Sequence, residues 1–315
     1  MNRDIRLVAD TGGARLDQYL ARSLPGYSRS FLKDLAQRGL VLVDGAPRAP
    51  DFRLRHGSVV VVRASDPGWA ELPFEDWVLH EDRHILVVDK PAGLITHPVG
   101  ESWIHRPEAA LSEPEPSLAG VVLRHRPGMA ASGVERCGLV HRLDRQTSGV
   151  LVLAKTAECQ TSLLCAFRER RVRKAYRAVV MGRLQVCRVE APVGRSPGRR
   201  RIRVTPWGRE ASTEFRSIET RGPLSLVEAR PLTGRTHQIR VHLASVKLPV
   251  LGDPEWFRDA EQKALTAAGL PKPPRMLLHA YRLSFEHPGT GKAVRFSAPV
   301  PADMRDYWKA VRSLI

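Results

Sequence analysis

His141-Arg142-Leu143-Asp144-Arg145-Gln146-Thr147-Ser148-Gly149, running into Val150-Leu151-Val152-Leu153-Ala154-Lys155, is the stretch on which the reading of this chain turns. Valine alternates with leucine after Gly149, and a short apolar run of that kind marks a buried strand. The polar residues before it therefore lie at the mouth of a strand, with Asp144 in the loop. One explanation of that aspartate is an Asx turn that orders the loop. The other is a working carboxylate, because Arg142 and Arg145 flank it and positive neighbours favour the ionised form. An ionised, held carboxylate can act as nucleophile or base. On the residues alone, both explanations stand.

Working outward, further strands are expected at 85–90 (ILVVDK), 174–182 (KAYRAVVMG), 202–206 (IRVTP), 224–232 (LSLVEARPL) and 280–288 (AYRLSFEHP). Helices are expected near 116–125, 156–170, 236–246 and 257–268. Strands outnumber helices and several helices bridge strands, which predicts a mixed α+β domain. The Pro- and Glu-rich stretch 99–118 reads as a surface loop. Residues 15–63 read as a separate small unit. Leu16, Tyr19, Leu20 and Leu24 fall at helical spacing, and Phe31, Leu32 and Leu35 share the face of a second helix that Ser28 caps and Gly39 stops. A strand, an Asp44-Gly45 hairpin turn and a closing strand at 58–63 follow. Arg29 and Lys33 lie one turn apart on the face opposite the core. The expected domains are 1–66, a Pro/Gly linker at 67–77, and 78–315.

The 315 residues are 43% hydrophobic and 26% charged, enough to build a core. Fifty Lys and Arg against 33 Asp and Glu give a net charge of +17, which points to a polyanionic partner, nucleic acid first. No apolar run approaches the roughly 20 residues that span a bilayer. The opening MNRDIRLVAD has no apolar signal core, and Cys137, Cys159, Cys165 and Cys187 are scattered, so a cytoplasmic protein with reduced thiols is expected. His80-Glu81-Asp82-Arg83-His84 matches the H-E-x-x-H zinc pattern. It runs straight into ILVV, however, and in a strand–turn–strand the two imidazoles would not converge, so no metal is expected. Dinucleotide and P-loop glycine patterns are absent from the sequence, and no cofactor is expected.

Two resemblances sharpen this. R-L-D-x-x-L, S-R-S and G-L-V-x-V-D-G in residues 15–63 resemble the S4 RNA-binding domain over its whole length. That resemblance implies RNA contacts at Arg29 and Lys33, with Arg22 and Arg48 behind them. HRLDRQTSG resembles the signature of the RluA-type pseudouridine synthases, which isomerise uridine in RNA. DKPAGLITHP (89–98), RKAYRAVVMG with Tyr176, the basic hairpin VGRSPGRRRIRV (193–204), LTGRTHQIRVHLA (232–244) and LGDPEW follow in that family's order. The likeness covers residues 78–302. It implies an α+β catalytic domain with a mixed, mainly antiparallel sheet, preceded by the small S4-like α/β domain, as in the ribosomal large-subunit subgroup.

By that resemblance Asp144 is the catalytic carboxylate, Tyr176 a flat face for a flipped uracil, and Arg235 the basic partner of Asp144. Arg240, farther along the same segment, is its competitor. Arg142 is expected to fill the space the uridine vacates. Arg199, Arg200 and Arg201, with Arg195 and Arg203, place five arginines in nine residues, and these are expected to meet RNA phosphates. His237 and His242 are expected to hold the motif in shape. Attack at C1′, attack at C6 and a glycal route all remain open. The expected partner is RNA, ribosomal before transfer RNA, and the protein is expected to be a monomer. The alternative is an inert S4-domain assembly factor, against which the retention of Asp144, Tyr176 and Arg235 argues.

Overall fold

The computed structural model describes residues 4–25, 27, 29–63, 74–98, 102–105, 109–112, 116–197 and 201–314. The chain divides into two compact units, Met1–Phe74 with Ile95–Cys137, and Glu75–Leu94 with Gly138–Ile315. The boundaries expected from sequence put 95–137 with the catalytic domain, whereas compactness groups it with the N-terminal residues.

In the first unit, strand β1 (Ile5–Val8) precedes helices α1 (Leu16–Ser23) and α2 (Arg29–Gln37). Strands β2 (Val41–Val43), β3 (Ala46–Pro47) and β4 (Val59–Val62) complete an antiparallel sheet in the order β1-β4-β2-β3. Leu16, Tyr19, Leu20, Phe31, Leu32 and Leu35 are buried against Val41, Val43, Val60 and Val62. The periodicity of the two helices thus does face one core. Asp44 (φ 51°) and Gly45 (φ 83°) make the tight turn between β2 and β3. Ser28 lies outside the described residues. Helices α3 (Ser102–His105), α4 (Ala109–Ser112) and α5 (Leu118–His125) also belong to this unit, and Ser117 caps α5 through Gly120 N.

The second unit is built on one large sheet. Its elements in chain order are β5 (Val78–Glu81), β6 (Ile85–Lys90), β7 (Ser148–Ala154), α6 (Ala157–Arg168) and β8 (Arg173–Met181). Next come β9 (Arg188–Glu190), the hairpin β10 (Val193–Arg195) and β11 (Ile202–Val204), and the long pair β12 (Ser212–Arg221) and β13 (Leu224–Pro231). Helices α7 (Gln238–Ser245) and α8 (Asp259–Ala267), strands β14 (Leu278–Glu286) and β15 (Ala293–Ser297), and α9 (Ala302–Leu314) close the chain. The sheet runs β5-β6-β7-β14-β8-β13-β12-β9, with β15 paired to β14. Every pairing is antiparallel except β7 with β14.

That parallel join sets the position of the loop before β7. Ala280 is opposite Gly149, whose φ is 118°, and a Cβ there would lie 2.2 Å from the Ala280 carbonyl oxygen. Only glycine permits the approach. One face of the sheet packs on α6 and α7 through Val150, Val152 and Leu163, and through Ala178, Ile239 and Leu243. At one end of the opposite face, Met304, Tyr307, Trp308 and Val311 of α9 cover Val179 and Leu226. Among the described residues, no helix is long and apolar enough to cross a membrane.

Candidate active site

Asp144 sits in the loop immediately before β7, with its neighbour Leu143 buried as an anchor. Its carbonyl accepts a hydrogen bond from Thr147 N at 3.0 Å, which closes the turn into the strand. The loop is braced from behind by the DKPAG segment. Arg145 O accepts from Gly93 N at 2.8 Å and from Lys90 Nζ at 3.3 Å. Lys90 is fully buried and also donates to Pro91 O and Leu94 O, each at 2.8 Å. Burial pushes its pKa down to about 7, against the pull of the nearby Asp144 charge. Two separated sequence blocks therefore form one rigid support for the residue beside Asp144.

The cation on Asp144 is Arg240. Its Nη1 donates to Asp144 Oδ2 at 2.8 Å, while Nε and Nη2 grip Asp253 at 2.6 and 3.0 Å. Arg240 is buried, and its Cζ lies 4.8 Å from the centre of the Trp256 ring. A planar fork of this kind can serve two carboxylates at once in fixed geometry. Burial alone would lower its pKa, yet the bonds and charges of Asp253 and Asp144 raise it, so it stays a cation. Arg235, expected in this role, is not the partner. It precedes α7 in the loop, and its Nε donates away from Asp144 to Glu210 O at 3.0 Å. Arg240 lies within α7, and that places its head under the Asp144 loop.

His237 (φ 57°) stands between carboxylates, with Nε2 3.7 Å from Asp144 Oδ2 and Nδ1 3.4 Å from Glu255 Oε1. Burial lowers its pKa, with the negative charge of Asp144 opposing. Gln238 staples the preceding loop. Its Oε1 accepts from Thr233 Oγ1 and Arg235 N, and its Nε2 donates to Ser212 O and Thr213 Oγ1. His242 is buried and structural, bonded to Thr213 Oγ1 and donating to Ala191 O.

Asp144, Tyr176, Arg142, Lys174, Arg235, His237 and Arg240 all line a cavity of about 550 Å³. That volume falls in the range of small-ligand pockets. Tyr176 lies on β8, and burial together with the Asp144 charge raises its pKa, so the phenol keeps its proton. Arg142 is exposed at the cavity wall. Lys174 Nζ donates to Thr233 O at 3.3 Å, and burial lowers its pKa to about 8.

Arg29 and Lys33 are exposed on α2, but Arg29 Nη2 is tied to the buried Asp17 at 2.9 Å. Arg201 begins the second arm of the basic hairpin, 3.9 Å from Glu255. Arg199 and Arg200 lie outside the described residues. His80 is on β5 and His84 in the turn to β6, as the strand–turn–strand reading requires. His80 and His287 both bond Asp82 Oδ2, at 3.2 and 2.9 Å, and these three ligand atoms lie within 4.8 Å of one another. His287 Nδ1 accepts from Gly289 N and Thr290 N, so its proton sits on Nε2 and is donated to Asp82. The trio is a hydrogen-bonded tie between two turns.

Asp253 and Glu255 belong to the LGDPEW block, yet nothing in that block marks them as partners of the site. An acidic residue shortly after a turn glycine gives no sign of which arginine it will hold. Lys174 is likewise hidden, since one lysine entering a strand reads as a surface residue.

The large mixed sheet thus carries an arginine-clamped aspartate in a basic cleft, in a chain that also holds a separate small helix–strand unit. The family model for RNA pseudouridylate synthases matches residues 84–245, and that of the S4 domain matches residues 14–60. The chain is 37% identical over 317 residues to the ribosomal large subunit pseudouridine synthase D of Nitrosomonas europaea, covering 99% of this chain and 88% of that protein. It is 39% identical over 311 residues to the protein of the same name from Xanthomonas campestris, covering 95% and 89%. Human RNA pseudouridylate synthase domain containing 4 shares the fold, with a TM-score of 0.59 and 23% identity over 77% of this chain and 95% of that one. The chain belongs to the RNA pseudouridylate synthase family and carries an N-terminal S4 domain.

Proposed function

We propose that this protein isomerises specific uridines to pseudouridine in large-subunit ribosomal RNA, in the cytoplasm, with Asp144 as the catalytic carboxylate. The observation that carries the reading is the Asp144 carboxylate, clamped at 2.8 Å by the buried Arg240 and facing a cavity shared with Tyr176. The names of the relatives support ribosomal over transfer RNA as substrate.

The reaction breaks the bond from C1′ to N1 of uracil and forms one from C1′ to C5. N1 gains a proton and C5 loses one, so the product is an isomer and nothing is oxidised. A uridine in a helix must leave the stack to reach the cavity, at a cost of a few kcal/mol. Arg142 at the wall is placed to occupy the gap, stacking on bases and pairing with phosphate. Tyr176 offers its ring to the flipped base and a protonated hydroxyl as a donor. Arg240 keeps the Asp144 carboxylate oriented toward the sugar, and a preset charge of this kind need not reorganise during reaction.

The test is release of tritium from large-subunit ribosomal RNA labelled as [5-³H]uridine, with no methyl donor added, because glycosylation at C5 expels that hydrogen. Release, together with loss of one or more pseudouridines from the ribosomal RNA of a deletion strain, is the expected result. RNA binding without release would instead support an assembly factor.

A further inference from the structure

Side chains of the large sheet alternate between two faces. Tyr176 and Ala178 face the cavity and α7. Arg177 and the residues in register with it face the other way. Across that face, strand register lays out rows of arginine. Arg177 of β8, Glu228 of β13 and Arg216 of β12 are direct cross-strand neighbours. In the next row Arg230, Glu214 and Arg188 of β9 are opposite one another, and farther along it Arg282 of β14 is opposite Ala175. A third row holds Arg295 of β15, Ser284 and Arg173. Six strands at about 4.8 Å spacing make a surface roughly 24 Å across.

The charges do not cancel. Outside the end that α9 covers, where Arg221 and Glu219 contact Trp308, these strands present among the described residues seven arginines on this face against Glu190, Glu214, Glu228 and Glu286. Glu228 is buried and central, with Arg230 at 2.7 Å, Arg216 at 3.5 Å and Arg177 at 3.7 Å. One carboxylate fixes three guanidinium groups and neutralises one. The side chains of Arg216 and Arg230 remain 66% and 55% exposed. With Arg188 they line a depression of about 350 Å³. Arg177 and Arg282 stack on Tyr281 at 4.7 and 5.0 Å. These basic groups are arginines, and ion pairs and stacking hold several of them as planar forks that match phosphate oxygens.

We propose that this face, opposite the catalytic cavity, is a second RNA-contacting surface that takes the phosphate backbone of a segment distant from the modified uridine. The proposal rests on the reading of the protein as an RNA-modifying enzyme. It explains why arginine, and not a mixed polar set, occupies a sheet face that α9 leaves uncovered. An RNA confined to the cavity would leave this face empty, whereas a long folded RNA could reach both.

The test combines Arg173→Gln, Arg216→Gln and Arg295→Gln in the full chain, none of which lines the cavity. Binding is measured by salt titration on a long folded fragment of large-subunit ribosomal RNA and on a single stem–loop containing the target uridine. On the long RNA the slope of log affinity against log salt should flatten by about 2 to 3 units, at about 0.7 to 0.9 for each phosphate no longer neutralised. On the stem–loop, slope and tritium release should match the parent protein. The double variant Arg173→Gln/Arg295→Gln leaves the Glu228 cluster intact and should show about two thirds of the effect, which guards against a folding defect in the triple variant. An unchanged slope on the long RNA overturns the proposal, including the case in which the variant instead loses an acidic protein partner. An equal loss on both RNAs also overturns it, because the residues would then act on RNA in the cavity. Failure of the parent protein to release tritium would sink the functional reading separately, while the two slopes would still decide this one.

Discussion

Arg240 holds Asp144 with one nitrogen and Asp253 with the other two, so a single buried guanidinium couples the loop before β7 to the turn after α7. The pairing makes the orientation of Asp144 depend on a residue thirteen positions beyond Arg240 in the chain.

Replacing Arg240 by Lys should therefore do more than a retained charge suggests. A lysine reaches one carboxylate as a point charge and leaves the other short of donors in a buried site. We expect kcat for uridine isomerisation to fall by about 100-fold, equivalent to about 2.7 kcal/mol. Arg235→Lys, whose head group bonds a backbone carbonyl away from Asp144, should stay within severalfold of the parent enzyme. Single-turnover tritium release on both variants checks this, and the reverse ranking would return the role to Arg235.

Lys90→Met should loosen the loop that carries Asp144. The methionine fills the space but leaves the carbonyls of Pro91 and Leu94 without the lysine donor, while Arg145 O keeps only its bond from Gly93 N. Each buried unsatisfied group costs about 1–3 kcal/mol, partly offset by removing a buried charge. A net loss of about 2–4 kcal/mol in urea unfolding is expected. Activity should fall even under conditions where the variant is fully folded.

Acid should destabilise the fold through His279. This ring is fully buried between Ser148 and Ala298, and burial lowers its pKa from 6.5 to about 4. Between those values the unfolded chain binds a proton that the folded chain does not. Stability therefore falls as pH drops from 6.5 to 4, by on the order of 3 kcal/mol from this group. His279→Gln should be less stable at pH 7 but show a shallower loss over the same window in unfolding titrations. Parallel curves for the two proteins would assign the acid sensitivity elsewhere.

Much of this architecture can be read from residue order. The apolar runs at 85–90, 149–155, 174–182 and 224–232 are β6, β7, β8 and β13, whose many buried valines, leucines and alanines betray them by composition. Strand β12 is absent from the expected set because its outer half, from Arg216 to Thr220, is exposed and carries no apolar alternation. The last helix is also absent from it, although Met304, Tyr307, Trp308 and Val311 do recur at helical spacing and could have marked it. Within the site, Asp144 and Tyr176 are locatable from their motifs. The choice between Arg235 and Arg240 is not, because it depends on where α7 begins and on the grip of Asp253. The arginine-lined sheet face is likewise invisible in the sequence, as its members come from six strands and meet only through their register.

The central claim, that Asp144 performs the chemistry, is tested most directly by Asp144→Asn under single-turnover conditions on [5-³H]uridine-labelled ribosomal RNA. The amide keeps the shape of the side chain but can act neither as nucleophile nor as base. RNA affinity should stay within severalfold of the parent, since phosphate contacts made elsewhere dominate binding. Tritium release should fall to background. Release at more than a trace of the parent rate, by a variant that is folded and binds RNA, would contradict the account.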